Sequence, residues 1–267
     1  MKDFVTNLTR NWSWLGFAYA AFAVYLLSPL LIVVMMSLKE GAFLGFPIEK
    51  WTTRWFMEVA QDRDFLSALG LSIYIAIIST LLALVVGVWA AVLLARPALW
   101  GRPVIFALAC MPLVVPSIVS AISLRIFSQS IGIRPGTTAI IIAHAVHSVP
   151  YMALMALTRL NSMPKNITEA ARDLGADGFV TFVRITIPFL IPALIGGTVF
   201  SMLSSFDDFV RSFFLGGYSP TLPVLIYSRI FSGLTPALAA MSTMVLVVTI
   251  FLGLYTERLV RKRMNNG

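Results

Sequence analysis

Residues 161–184 read NSMPKNITEAARDLGADGFVTFVR, a polar stretch of mixed charge set between apolar runs at 137–158 and 185–206. Pro164 can open a helix there, because the N–H it lacks is one that a first turn leaves unused. ITEAARDL is rich in helix formers, and Gly175 follows where a left-handed residue ends a helix. Asp177 suits the N-cap of a second helical stretch leading into the next apolar run. The spacing predicts a short helix over about 164–175, held by helical connections on both sides. Ala170 and Ala171 are small enough to let a partner's backbone approach, and Glu169 and Arg172 beside them can set register by charge. The competing reading is a helix lying on lipid. Few aromatics and a small expected apolar moment favour docking to protein instead.

The flanking runs belong to a series. A crossing takes about 20 largely apolar residues, and uncharged stretches of that length occur at 14–36, 66–95, 103–124, 137–158, 185–206 and 236–256. The second exceeds what one span needs, and its crossing is placed at 69–95. Only 12% of residues are charged and 58% are hydrophobic, with mean hydropathy +0.88; soluble domains carry roughly a quarter charged residues. The expected fold class is all-α integral membrane, with one transmembrane domain over 1–267 and six spans. The first run is too long for a signal-peptide core and no small-residue cleavage site follows, so it reads as an uncleaved helix.

Twelve of the 20 Lys and Arg residues fall on the side of the 161–184 loop and both termini, and eight on the other. Cytoplasmic loops carry the positive excess, which puts both termini in the cytoplasm. The net charge of +8 is spread over segment ends, so topology explains it and no nucleic-acid partner is expected. The basic tail of Arg258, Arg261, Lys262 and Arg263 suits an anionic leaflet, at about 1 kcal/mol per residue. Cys110 is the single cysteine, which excludes an internal disulfide.

Three further groups carry chemistry. Asp207 and Asp208 follow Phe206 at the outer end of the fifth run, with Arg211 nearby. They read equally as a solvated loop with a counter-charge and as carboxylates that meet a cationic substrate. His144 and His147 share one face of the fourth run at i, i+3. With no third ligand in the pattern, packing or a hydrogen bond to a neighbouring helix is preferred over a metal, and no metal site or catalytic residue is expected. The outer loop at 38–65 has room for a short amphipathic helix.

Glu169-Ala170-Ala171, three residues, Gly175, nine residues and Ile185-Thr186-Ile187-Pro188 resemble the EAA motif of ATP-binding-cassette (ABC) importer permeases. That pattern is Glu-Ala-Ala-x3-Gly-x9-Ile-x-Leu-Pro, with Ile187 the one departure. Similarity extends over most of the chain. Ser205-Phe206-Asp207-Asp208-Phe209, Thr221-Leu222-Pro223 and the Pro112–Pro116 region are most similar to the polyamine-type (spermidine/putrescine) permeases.

The resemblance implies a type I, MetI-like permease subunit in a bacterial inner membrane. In such systems two permease chains, usually non-identical, line one pathway, so a heterodimer is expected. Two ATPase subunits bind ATP and Mg and receive the coupling helix, here Glu169, Ala170, Ala171, Arg172, Asp173, Gly175 and Ala176, with Pro188 at the motif's end. A soluble binding protein delivers the cargo, and Phe206, Asp207 and Asp208 become candidate pathway residues. The chain has no GxxxxGK[ST] phosphate loop, so no cofactor is expected in it and the ATPase is a partner. The same architecture serves opine, aminoethylphosphonate and ferric iron import. An ATPase-independent secondary transporter is a further alternative, opposed by the EAA loop and by the lack of an acid inside a span.

Overall fold

The computed structural model describes residues 2–41, 45–96 and 100–265, with side chains omitted at 2–13, 165, 252, 255–257 and 259–265. The side chains of Lys2, Arg10, Lys165, Arg261, Lys262 and Arg263, part of the charge argument, lie outside the described residues. In chain order the α-helices are α1 (Lys2–Ser37), α2 (Arg54–Gln61), α3 (Arg63–Leu94), α4 (Arg102–Val114), α5 (Ser117–Ser130), α6 (Thr137–Asn161), α7 (Lys165–Asp173), α8 (Gly178–Thr181), α9 (Ile187–Phe206), α10 (Phe209–Leu215), α11 (Leu222–Ser232) and α12 (Pro236–Asn265). A π-helical turn, Phe182–Thr186, joins α8 to α9 without a break.

The chain forms two compact units. The first comprises Met1–Asp62 and Arg229–Val248. It holds α1, whose Trp14, Phe17, Tyr19, Phe22 and Tyr25 are exposed. After α1 the chain makes a bridge between Lys39 and Trp51, and the Trp55 indole N–H donates to the Lys39 carbonyl at 2.8 Å. The short helix α2 follows. Its end is fixed by an ion pair from Arg229 Nη1 to Asp62 Oδ2 at 2.6 Å.

The second unit, Arg63–Ser228 with Thr249–Gly267, is built on α3, α6 and α9, which pack on one another. On α3 the buried positions include Ala68, Ser72, Ile75, Ser79, Ala83, Gly87 and Ala91, a stripe with helical spacing. Most are small, as expected where helix backbones must approach closely without a hydrophobic drive between them. The opposite face shows Ile73, Ile77, Leu81, Val85 and Trp89, which are exposed and suit lipid. Near one end Ile75, Ala121, Ile140 and Leu215 form a core cluster, and near the other Val88, Leu94, Ala156 and Leu190 do so. Arg125 Nη1 donates to the Phe214 carbonyl at 2.7 Å, tying α5 to α10. The buried Leu222 N–H donates to Ser72 Oγ at 2.8 Å. Ser72→Ala leaves that donor unpaired, so it is expected to cost about 1–3 kcal/mol, read as a lowered melting temperature of the detergent-solubilised protein.

Among the described residues, four helices are long and apolar enough to cross a membrane: Trp14–Ser37, Arg63–Leu94, Thr137–Asn161 and Gly178–Phe206. The single span expected at 103–124 is instead two helices, α4 and α5, bent by 108°. Pro116 is the cause. It pushes the preceding residue out of the helical region, and Val115 is extended at φ −74°, ψ 128°. The broken pair makes a fifth candidate crossing if it counts as one. The described apolar part of α12, Pro236–Phe251, is shorter than the other spans.

Candidate functional site

At one end of the second unit, α7 is capped as the sequence chemistry requires. Pro164 occupies its N-cap in extended conformation. At the other end the Gly175 N–H donates to the Arg172 carbonyl at 2.9 Å, and the Ala176 N–H to that of Ala171 at 3.0 Å. This pair of bonds is a Schellman closure, whose C′ residue must be left-handed; Gly175 has φ +83°. Asp177 then caps α8, its Oδ1 accepting from the Val180 N–H at 2.7 Å.

Glu169, Ala170, Arg172 and Asp173 are exposed on α7, whereas Ala171 is 9% exposed and turned toward its own chain. Ala171 is nonetheless one of the residues that line a groove beside α7. The expectation of a weak apolar moment is overturned. Ile167, Ala170, Ala171 and Leu174 recur at helical spacing and line a groove of about 520 Å³, closed on its far side by Val180 and Ile185. Asn166 also lines the groove, and polar Glu169, Arg172 and Asp173 occupy remaining positions, so one-sidedness does not argue against lipid. What distinguishes the helix is its charged outer face and a rim shaped by small side chains.

Pro188 is exposed at the first turn of α9. A proline inside a helix cannot tolerate the carbonyl four residues back. The chain accommodates it with the π turn, in which the Ile187 N–H reaches the Phe182 carbonyl.

At the C-terminal end of α9, side chains separated by long stretches of sequence converge. His144, 1% exposed, has Nδ1 2.7 Å from Ser205 Oγ and Nε2 3.3 Å from Ser212 Oγ. Ser205 Oγ lies 3.0 Å from Ser79 Oγ, and the Ser79 hydroxyl donates to the Ala76 carbonyl at 3.3 Å. With that proton placed, the Ser205 hydroxyl donates to Ser79 and accepts from His144 Nδ1–H. His144 Nε2 then accepts from Ser212. Both imidazole nitrogens are spent on hydrogen bonds that join α6 to α9 and α10, which answers the question its position on α6 raised.

Asp208 and Arg211 are not a solvated loop. Asp208 caps α10, its Oδ1 accepting the Arg211 N–H at 3.0 Å, and its Oδ2 accepts from Arg211 Nη1 at 2.6 Å. The Arg211 residue is 3% exposed, and its Nη2 lies 3.0 Å from His147 Nδ1. A guanidinium only donates, so His147 Nδ1 supplies the lone pair and its proton sits on Nε2. The burial of Arg211 carried no signal in the sequence, because an arginine beyond an apolar run reads as solvated.

Asp207 ends α9 and stands exposed, with no ion-pair partner among the described residues. Partial burial, and secondarily the charge of Asp208, hold its carboxyl above its ordinary pKa. Asp207, Asp208, His147, Phe200, Ser204 and Arg211 all line one cavity of about 580 Å³. Phe206 lies between Ser205 and Asp207 but is not among the cavity's lining residues.

The chain is 31% identical over 254 residues to the spermidine/putrescine transport system permease protein PotC of Shigella flexneri, covering 94% of this chain and 96% of that one. It is 33% identical over 230 residues to the putrescine transport system permease protein PotI of Escherichia coli K12, covering 83% and 82%. Among solved structures, a bacterial alginate ABC transporter bound to its alginate-loaded periplasmic protein contains a chain that matches with TM-score 0.73 at 16% identity, covering 96% of each. The inward-facing MetNI methionine transporter matches with TM-score 0.63 at 18% identity, covering 72% of this chain and 92% of that one. These two likenesses establish the fold. Residues 83–265 match the family described as binding-protein-dependent transport system inner membrane component, and the chain belongs to that family.

Proposed function

We propose that the chain is one of two non-identical permease subunits of a polyamine importer, crossing the membrane six times with both termini in the cytoplasm. The broken pair α4–α5 counts as one crossing and α12 supplies the last. Exposed aromatic side chains along α1 suit lipid and the second permease chain. The inner face, with α7 and its Glu169–Ala176 segment, docks one of two ATPase subunits, which bind ATP and Mg. A soluble binding protein delivers cargo to the outer face. ATP-driven closure of the ATPase pair moves both coupling helices and opens the pathway outward; hydrolysis and release reset it.

The observation that carries the cargo reading is the outer cavity, where the Asp207 carboxylate stands without a counter-ion among the described residues. An ammonium group is its natural complement. Names of relatives at 31% and 33% identity, all but spanning the chain, support the same class. Reconstituted with its ATPase, second permease and binding protein, the complex is expected to accumulate putrescine in an ATP-dependent manner. Asp207→Asn is expected to reduce that uptake about tenfold or more, since removing one charge from a partly desolvated site is worth over 1 kcal/mol. Unchanged uptake and unchanged ATP coupling in Asp207→Asn would sink the cargo reading.

A further inference from the structure

The two carboxylates at the outer cavity are not equivalent. The Asp208 side chain is 8% exposed and already holds a cation, with Arg211 Nη1 at 2.6 Å on Oδ2 and the Arg211 N–H at 3.0 Å on Oδ1. The other anchor of that guanidinium is the neutral His147 ring, and its Nε is buried without a partner among the described residues. A cargo ammonium that took Asp208 would strand a buried guanidinium beside a neutral imidazole. Breaking a buried ion pair by removing one partner is strongly unfavourable. His144 does not change the balance, since both its nitrogens are engaged by serines, although Nε2 lies 3.9 Å from Asp208 Oδ2. The charges lining the cavity therefore sum to one negative, carried by Asp207.

We propose that Arg211 is the charge-selecting residue of this cavity: it cancels Asp208, so that Asp207 alone meets the cationic groups of the cargo, one at a time. The inference rests on the cationic-cargo reading above. Asp208→Asn by itself leaves Arg211 uncancelled and the cavity neutral. Asp208→Asn with Arg211→Gln removes both charges, restores one net negative charge, and keeps side chains able to cap α10 and bond His147. Arg211→Gln alone leaves two carboxylates and favours the more highly charged cargo.

The test uses the complete complex in proteoliposomes, one binding protein throughout, with putrescine and spermidine as probes. Asp208→Asn is expected to lose about tenfold or more of putrescine uptake, and the double variant to return to within about threefold of the unmodified complex. Arg211→Gln is expected to raise the spermidine-to-putrescine uptake ratio about threefold or more, a shift that a merely structural role does not produce. If Asp208→Asn fails to assemble, the other two variants carry the test. A double variant as inactive as Asp208→Asn, or failing that as inactive as Asp207→Asn, makes Asp208 itself a cargo ligand and overturns the assignment. So does an unmoved ratio in Arg211→Gln. A complex that takes up neither amine in its unmodified form overturns the cargo reading, and this inference with it.

Discussion

Replacing Gly175 with valine is expected to abolish ATP-driven uptake while leaving the two permease chains assembled in the membrane. Gly175 has φ +83° and open space around an added Cβ, so crowding is not the difficulty. The backbone is. A side chain in the left-handed region costs about 1–2 kcal/mol, more for a β-branched residue, and the last turn of α7 has little else to hold it. Two bonds close that turn, from Gly175 and Ala176 to the Arg172 and Ala171 carbonyls. Once they open, the charged face of Glu169, Arg172 and Asp173 loses its fixed direction. Glu169→Lys is expected to give the same phenotype by charge reversal with the helix intact. The measurement is putrescine uptake and cargo-stimulated ATPase activity, expected to fall to a few per cent, on the order of 2 kcal/mol of lost coupling. Full uptake in both variants would remove α7 from the coupling path.

Gly87→Ala is expected to be the more damaging of two single-methyl additions beside Met152. A Cβ at Gly87 would stand 2.7 Å from Met152 Cβ and 3.1 Å from the Ala153 backbone nitrogen. Those atoms belong to the stem and backbone of α6, so relief requires α3 and α6 to separate along their whole interface. Overpacking of this kind costs about 1–3 kcal/mol, and a lowered melting temperature on the order of 5 °C follows. Gly197→Ala is the control. Its Cβ would meet Met152 Sδ at 2.8 Å and Cε at 3.2 Å, the far end of an unbranched chain that can swing aside. Little change is expected there. Equal destabilisation by the two substitutions would mean that Met152 is as rigid at its tip as at its base.

The parts of this structure legible in the sequence are those set by local energetics. Apolar runs announce crossings because the cost of placing charge in hydrocarbon is additive along a segment. Pro164, Gly175 and Asp177 announce the ends of α7 and α8 because each acts on its own backbone. The bend between α4 and α5 had its signal in Pro116, yet a proline inside an apolar run is equally compatible with a mild kink. Of the cluster around Arg211, the members carried signals of their own, but their meeting was not legible. Arg211 pairs with Asp208 three residues away, but its other anchor is His147, 64 residues away, and no local pattern reports such a meeting. The same holds for Ser79 and Ser205, 126 residues apart. Small polar residues on apolar helices look like packing until their partners are known.

The unbroken helical run from Gly178 to Phe206 has a mechanical consequence. It spans 29 residues, or about 40 Å at 1.5 Å per residue. One end is wired to α7 through the Asp177 cap, and the other delivers Ser205 to His144 and Ser79 and Asp207 to the cavity beside them. A rod of that length tilting by about 5° about its inner end carries its outer end through about 4 Å, more than the length of a hydrogen bond. A displacement too small to disturb the groove beside α7 is thus enough to pull Ser205 away from His144 and Ser79.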